Sequence, residues 1–83
     1  MYIPATAITL DTAARQLADG NAAIESGQLV FSFEQTGQVD SSAVACLLAW
    51  KRLARQRNAR LDFQHLPENL THLIKLYGVA ELL

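Results

Sequence analysis

The fold is decided by the sequence VDSSAVACLLAWKRLARQ, residues 39–56. After an Asp-Ser-Ser start, apolar residues recur at helical spacing. At 100° per residue, one set of these residues falls within about 60° of a single direction. We expect this set to pack on a sheet; it comprises Ala43, Cys46, Leu47, Trp50, Leu53 and Ala54. The pattern therefore predicts an amphipathic helix from Ser41 to Gln56.

The opposite face of this helix is predicted to meet solvent and holds the candidate binding residues. It combines a hydroxyl, aliphatic side chains and cations, namely Ser41, Val44, Ala45, Leu48, Lys51, Arg52 and Arg55. Aliphatic side chains rimmed by polar groups are typical of a small interaction patch. Single exposed aliphatic residues are also ordinary, and cations near a helix C-terminus complement the helix dipole. On helix geometry alone, both interpretations stay open.

Strands and helices are predicted on either side of the central helix. The run from Leu29 to Phe33 and the segment from Leu61 to Gln64 favour strands, and residues 34–39 are predicted to form a loop. A first helix is expected from Asp11, as N-cap, to Ser26, with Gly27 ending it. Its packing stripe is Ala13, Leu17, Gly20 and Ile24.

Glycine inside a helix costs about 1 kcal/mol relative to alanine, so Gly20 is expected to permit close approach of another element. The last helix should begin with Pro67 and end at Gly78. Its buried face is predicted to comprise Leu70, Leu73, Ile74 and Tyr77. The tail from Val79 to Leu83 then packs back or frays.

The N-terminal segment from Tyr2 to Thr9 is compatible with a strand, but Pro4 restricts it to a sheet edge or a strand end. The element order is then β-α-β-α-β-α. Such alternation predicts an α/β fold with a mainly parallel sheet, helices packed on it and right-handed crossovers. The length of 83 residues predicts a single domain over residues 1–83.

Charge and composition narrow the classes of partner. The formal net charge is −1, and no aromatic residues are interleaved with the arginines, so nucleic acid is a poor candidate. The one cysteine, Cys46, favours a reducing compartment. No signal peptide or membrane-inserting stretch is recognisable, and we expect a cytoplasmic protein.

The motifs for chemistry are missing from the sequence. His65 and His72 have no cysteine or carboxylate at metal-ligand spacing. Ser41 and Ser42 lie in no G-x-S-x-G elbow, and the scattered glycines form no phosphate-binding loop. We therefore predict a protein that is not an enzyme and that uses no metal or cofactor.

The segment Asp40-Ser41-Ser42 is the remaining site of interest. Free N–H groups and the positive end of the dipole at a helix start suit a hydroxyl or a phosphate. A phosphate there would act as an electrostatic switch. The simpler interpretation is an N-cap in which Asp40 or Ser41 satisfies the first turn, and both remain open on chemistry alone.

The run Leu29–Phe33, followed by the helix start at Asp40-Ser41-Ser42, resembles the strand-loop-helix signature of STAS domains, the family of anti-sigma-factor antagonists. Downstream, Asn58–Phe63, Leu66-Pro67 and Leu73–Leu83 look most like the small STAS subunit, MlaB, of Mla phospholipid-transport ABC complexes. The resemblance covers residues 10–83. STAS domains usually open with two strands, whereas only residues 1–10 precede the first helix here, so the N-terminal strand region is expected to be truncated.

The resemblance implies a protein-binding role with two alternatives. In the transporter subunit the hydroxyl residue that meets the ATPase resembles Ser41, and docking through Asp40, Ser41, Val44, Leu48, Lys51, Arg52 and Arg55 would place the protein beside the inner membrane. In the antagonists the phospho-acceptor resembles Ser42, and the partners are an anti-sigma factor or kinase; phosphorylation of Ser41 is also left open. An exposed sheet edge would allow a homodimer.

Overall fold

The computed structural model describes residues 1–83, in which three α-helices alternate with short parallel strands. The elements are β1 (Ala7–Ile8), α1 (Ala13–Glu25), β2 (Val30–Ser32), β3 (Gln38–Val39), α2 (Ser41–Gln56), β4 (Asp62–Gln64) and α3 (Glu68–Leu76), followed by a 3-10 turn over Ala80–Leu82. The predicted α/β class and the bounds of α2 are confirmed. The predicted strands are shorter than expected, and the C-terminal tail packs back as the 3-10 turn.

All strand pairs are parallel, as predicted. β1 pairs with β3, β2 pairs with β4, and a parallel bridge from Tyr2 to Phe31 connects the two pairs. The N-terminal segment thus runs between β2 and β3 as one interrupted strand. Of the two positions predicted for this segment, the sheet edge is therefore wrong, and Pro4 lies instead at a strand end, between the two paired parts, where no ladder hydrogen bond from its nitrogen is needed. The N-terminal region therefore supplies a single interrupted strand before α1.

The prediction of a loop over residues 34–39 is wrong at its end, because Gln38–Val39 form β3. This strand has two residues and pairs with β1, about thirty residues earlier in the chain. Local pattern carries little information on so short a strand, since its partner lies far away in sequence.

Two of the helices end just before a glycine. After α1, the N–H of Gly27 donates to Ile24 and that of Gln28 to Ala23, and Gly27 adopts a φ of 91°. This is a Schellman motif, in which a left-handed residue lets the chain satisfy the last carbonyls. Gly78 ends α3 in the same way, with a φ of 67°. Both predicted glycine stops are confirmed.

Three details of the helix predictions are wrong. Thr12, not Asp11, precedes α1, and its hydroxyl accepts from the N–H of Thr9 and donates to the Ala7 carbonyl. Pro67 is the N-cap of α3 instead of its first residue. Tyr77 is 51% exposed, because α3 ends at Leu76 and the chain turns away from the packed face.

The core is centred on Trp50, which α2 holds against the sheet. Its ring lies 5.2 Å from that of Phe31 and 6.5 Å from that of Phe63, both edge to face. The indole N–H donates to the carbonyl of Leu17 in α1 over 3.2 Å. Gly20 lies directly against the indole, which confirms the close approach expected of this glycine. Helix α2 thus packs against α1 on one flank and α3 on the other.

Candidate functional site

Asp40 fixes the start of α2. Its backbone is extended, and its Oδ1 accepts from the N–H of Ser42 over 2.8 Å. Its Oδ2 accepts from the N–H of Leu10 over 3.0 Å, so one carboxylate joins α2 to the loop before α1. The bonds from Leu10 and Ser42 favour the charged form and hold the pKa of Asp40 below its usual value. The N-cap interpretation of Asp40 is confirmed.

The two serines of the helix start have different surroundings. Ser41, the first residue of α2, is exposed. Ser42 is half-buried and lines a groove of about 330 Å³ between α1 and α2. The other lining residues of this groove are small or apolar, namely Ala13, Ala14, Leu17, Ala45, Cys46 and Ala49. Ser41 is therefore the hydroxyl that faces solvent, and Ser42 is the one that faces the groove.

The predicted exposure of Val44 is wrong, since this side chain is only 4% exposed and belongs to the core. The helical projection assumed that α2 buries one face on the sheet. In the structure, α1 and α3 also contact α2, and Val44 is enclosed together with Ala43 and Leu47. A helix covered on three sides retains a narrower exposed face than the projection gives.

The exposed face of α2 is a single row of residues spaced by three or four positions. We call this row the α2 stripe; it comprises Ser41, Ala45, Leu48, Arg52 and Arg55. Leu48 is half-buried and touches the core, while the other four are exposed. Along the stripe, a hydroxyl is followed by a small apolar patch and then by two cations. The predicted surface therefore keeps Ser41, Leu48, Arg52 and Arg55.

Lys51 is turned away from the α2 stripe. Its ammonium donates to the carbonyl of Leu61 and lies 4.8 Å from the centre of the Phe63 ring. Burial lowers the pKa of this lysine, while the nearby carboxylate of Asp62 acts in the opposite direction. Lys51 thus fastens α2 to β4, a role that the charge pattern did not predict.

Two exposed leucines beside the α2 stripe were not predicted. Leu10 is 79% exposed, and its backbone is bound to Asp40 at the start of the stripe. Leu82, in the 3-10 turn, is 56% exposed and lies against the other end of the stripe. Sequence reasoning missed both because their positions depend on how distant segments return to α2.

A second cavity, away from the α2 stripe, contains a histidine. His72 lines the largest cavity, of about 720 Å³, with Glu68, Asn69, Val39 and Leu73. No three His, Cys, Asp or Glu side chains are grouped so as to hold a metal ion. None of the helices combines the length and apolar character needed to cross a bilayer.

The structure is that of a small α/β domain in which a capped helix start presents a hydroxyl and an apolar patch to solvent. The family model described as "Mlab, STAS domain" matches residues 5–83. The chain therefore belongs to the STAS domain family, and it is of the MlaB-like type. No curated protein matches the chain. Domains of this family are in general interaction and regulatory domains.

Proposed function

We propose that this chain is a cytoplasmic regulatory or stabilising subunit that binds the ATPase of an Mla-like phospholipid-transport ABC complex through the α2 stripe. The MlaB-like family match supports the class of complex. The choice of binding face rests on the exposure of Ser41, the first residue of α2, in a row of residues that are all exposed except the half-buried Leu48.

The rigidity of the helix start supports this role. Asp40 holds the first turn of α2 and the loop before α1 with one carboxylate, so Ser41 is presented in a fixed position. A preordered surface loses less conformational freedom on association. Docking through Ser41, Ala45 and Leu48 is therefore favoured by geometry as well as by composition.

The experiment is affinity purification of the tagged protein from its native host, followed by mass spectrometry. We would compare wild type with Ser41→Glu and with Ala45→Asp, which places a charge at an exposed position in the middle of the stripe. Ala18→Asp, on an exposed position of α1, is the matched control. Circular dichroism of each variant checks that the fold is intact.

We expect to recover an ABC ATPase and a permease with wild type and with Ala18→Asp. Neither should be recovered with Ser41→Glu or with Ala45→Asp. Equal recovery with Ala45→Asp would refute the assignment of this face. Failure to recover any transporter component with wild type would refute the proposed function.

The second candidate is an anti-sigma-factor antagonist switched by phosphorylation of Ser42. It is favoured by the position of Ser42 in the first turn of α2, half-exposed at the groove. The Ser42 N–H donates to Asp40, so a phosphate on the Ser42 side chain would bring negative charge close to that carboxylate and weaken the cap. Recovery of a soluble kinase-like protein, with a phosphate-sized increase in the intact mass, would favour this candidate.

A further inference from the structure

A small cleft lies at the C-terminal end of the α2 stripe, where the 3-10 turn approaches α2. It has a volume of about 140 Å³ and is lined by Leu48, Lys51, Arg52, Arg55 and Leu82. This volume is close to that of a cavity of roughly 150 Å³ that holds one benzene molecule. The cleft, which we call the leucine–arginine cleft, is therefore large enough for one apolar side chain.

The charged residues that line the leucine–arginine cleft are all basic, while Glu81 lines the adjoining hollow on the far side of Lys51, Arg55 and Leu82. Arg52 and Arg55 are three residues apart on α2, so their side chains leave the helix on the same face, and both are exposed. Lys51 lines the cleft, although its ammonium is engaged with Leu61. No acidic side chain lines the cleft. Guanidinium groups bind carboxylates through bidentate hydrogen bonds, so a partner surface that carries carboxylates beside an apolar side chain would match this cleft.

We infer that the leucine–arginine cleft receives a helix of the protein partner that presents one leucine-sized apolar side chain flanked by carboxylates. The inference rests on the proposed function and specifies the chemistry of the partner surface at the cationic end of the stripe. Leu48 belongs to both surfaces, so a helix seated in the cleft would continue the contact made at Ser41 and Ala45.

A protein helix suits this surface better than an anionic membrane. The cleft is concave and of a size for one side chain, whereas a bilayer binds basic residues presented on a flat or convex amphipathic face. The chain as a whole carries a formal charge of −1, so no overall field attracts it to anionic lipid.

The test uses synthetic peptides and the purified protein. The probe is an alanine-rich helical peptide with one leucine and a glutamate on each side at helical spacing, and the matched peptide carries glutamine in place of glutamate. We expect the acidic peptide to bind wild type about 2- to 30-fold more tightly in low salt, as two exposed ion pairs allow. The preference should shrink at high salt because exposed charges are screened.

Charge reversal gives the sharper readout. The double variant Arg52→Glu/Arg55→Glu should lose the preference and bind a lysine-flanked peptide instead. Arg15→Glu, a reversal on an exposed residue of α1, should leave the preference unchanged. Leu82→Ala should weaken both peptides, because it removes part of the apolar lining. Thermal unfolding of each variant excludes loss of fold as the cause.

Equal binding of the acidic and glutamine peptides, or binding of neither, would overturn the inference. Binding to phosphatidylglycerol vesicles that disappears in the double variant, without discrimination between peptides, would overturn it in favour of a membrane. The peptide assay does not require the ATPase, so the cleft and the proposed function can be refuted independently. An ATPase recovered equally by wild type and the double variant would refute only the cleft, and peptide discrimination without any transporter component would refute only the proposed function.

Discussion

Replacement of Gly20 by alanine has two opposing effects on stability, a gain in helix propensity and a clash with Trp50, and the structure lets us compare their sizes. Alanine is favoured over glycine inside a helix by about 1 kcal/mol. A Cβ at position 20, however, would lie 2.3 Å from Cε2 and Nε1 of Trp50, whereas ordinary contact begins at 3.4 Å. The indole would have to retreat by about 1 Å, in a core where overpacking costs about 1–3 kcal/mol.

The indole has little room to retreat. Trp50 has no exposed surface, and the rings of Phe31, Phe33 and Phe63 surround it. Its hydrogen bond to Leu17 would also be strained, at a cost of about 1 kcal/mol. We therefore expect Gly20→Ala to lower the free energy of unfolding by about 2 kcal/mol after the gain in helix propensity, and the melting temperature by about 8–16 °C.

The assay is thermal and urea unfolding of wild type, Gly20→Ala, Trp50→Phe and the double variant. In the Trp50→Phe background the smaller ring leaves space, and Gly20→Ala should become neutral or stabilising. Ala18→Gly, at an exposed position of α1, measures the propensity effect alone and should cost about 1 kcal/mol. A higher melting temperature for Gly20→Ala, or the same loss in both backgrounds, would refute the packing argument.

Three further predictions concern buried or capping polar groups. The Ser32 hydroxyl is buried without a hydrogen-bond partner, so Ser32→Ala should raise the free energy of unfolding by about 1 kcal/mol; a clear loss in urea unfolding would contradict this. The pKa of Asp40 is lowered on folding, so its contribution is present above the unfolded pKa and is lost as the pH falls through the folded pKa. The difference in melting temperature between wild type and Asp40→Asn should therefore shrink from about pH 6 to about pH 3, and a constant difference would count against the carboxylate. Burial raises the pKa of the Cys46 thiol, and the charge of Asp40 adds a smaller effect in the same direction. A thiol reagent near neutral pH should therefore label the native protein far more slowly than the urea-unfolded protein. Equal labelling rates would show that the thiol is accessible in the native protein.

The elements that the sequence predicts well are those with strong local signals. The bounds of α2 follow from the Asp-Ser-Ser start and the apolar spacing, and Gly27 and Gly78 mark two helix ends because each must adopt a positive φ. β3 lacks such a signal, since two residues acquire their strand conformation only through β1. Local pattern therefore determines the helices, while the register of the short strands depends on distant partners.

The candidate site shows the same division. Ser41 was assigned correctly to the exposed face of α2, because its position relative to the cap depends only on neighbouring residues. Val44 was assigned wrongly, because its burial depends on the neighbouring helices that flank α2. Lys51 looked like a solvated cation, and only the return of β4 beneath α2 gives its ammonium the Leu61 carbonyl as a partner.

The enclosure of α2 also separates binding from stability. The sheet and two helices cover three sides of α2, and Ala43, Val44 and Leu47 belong to the core. The exposed residues of the α2 stripe, which are all of its members except Leu48, therefore make little contribution to folding. Surface substitutions away from special features usually change stability by less than about 0.5 kcal/mol. A charge introduced at Ala45, or a charge reversal at Arg52, should thus report on the partner contact alone, whereas a charge at Val44 would unfold the domain. The narrow exposed face therefore makes the two kinds of effect distinguishable by experiment.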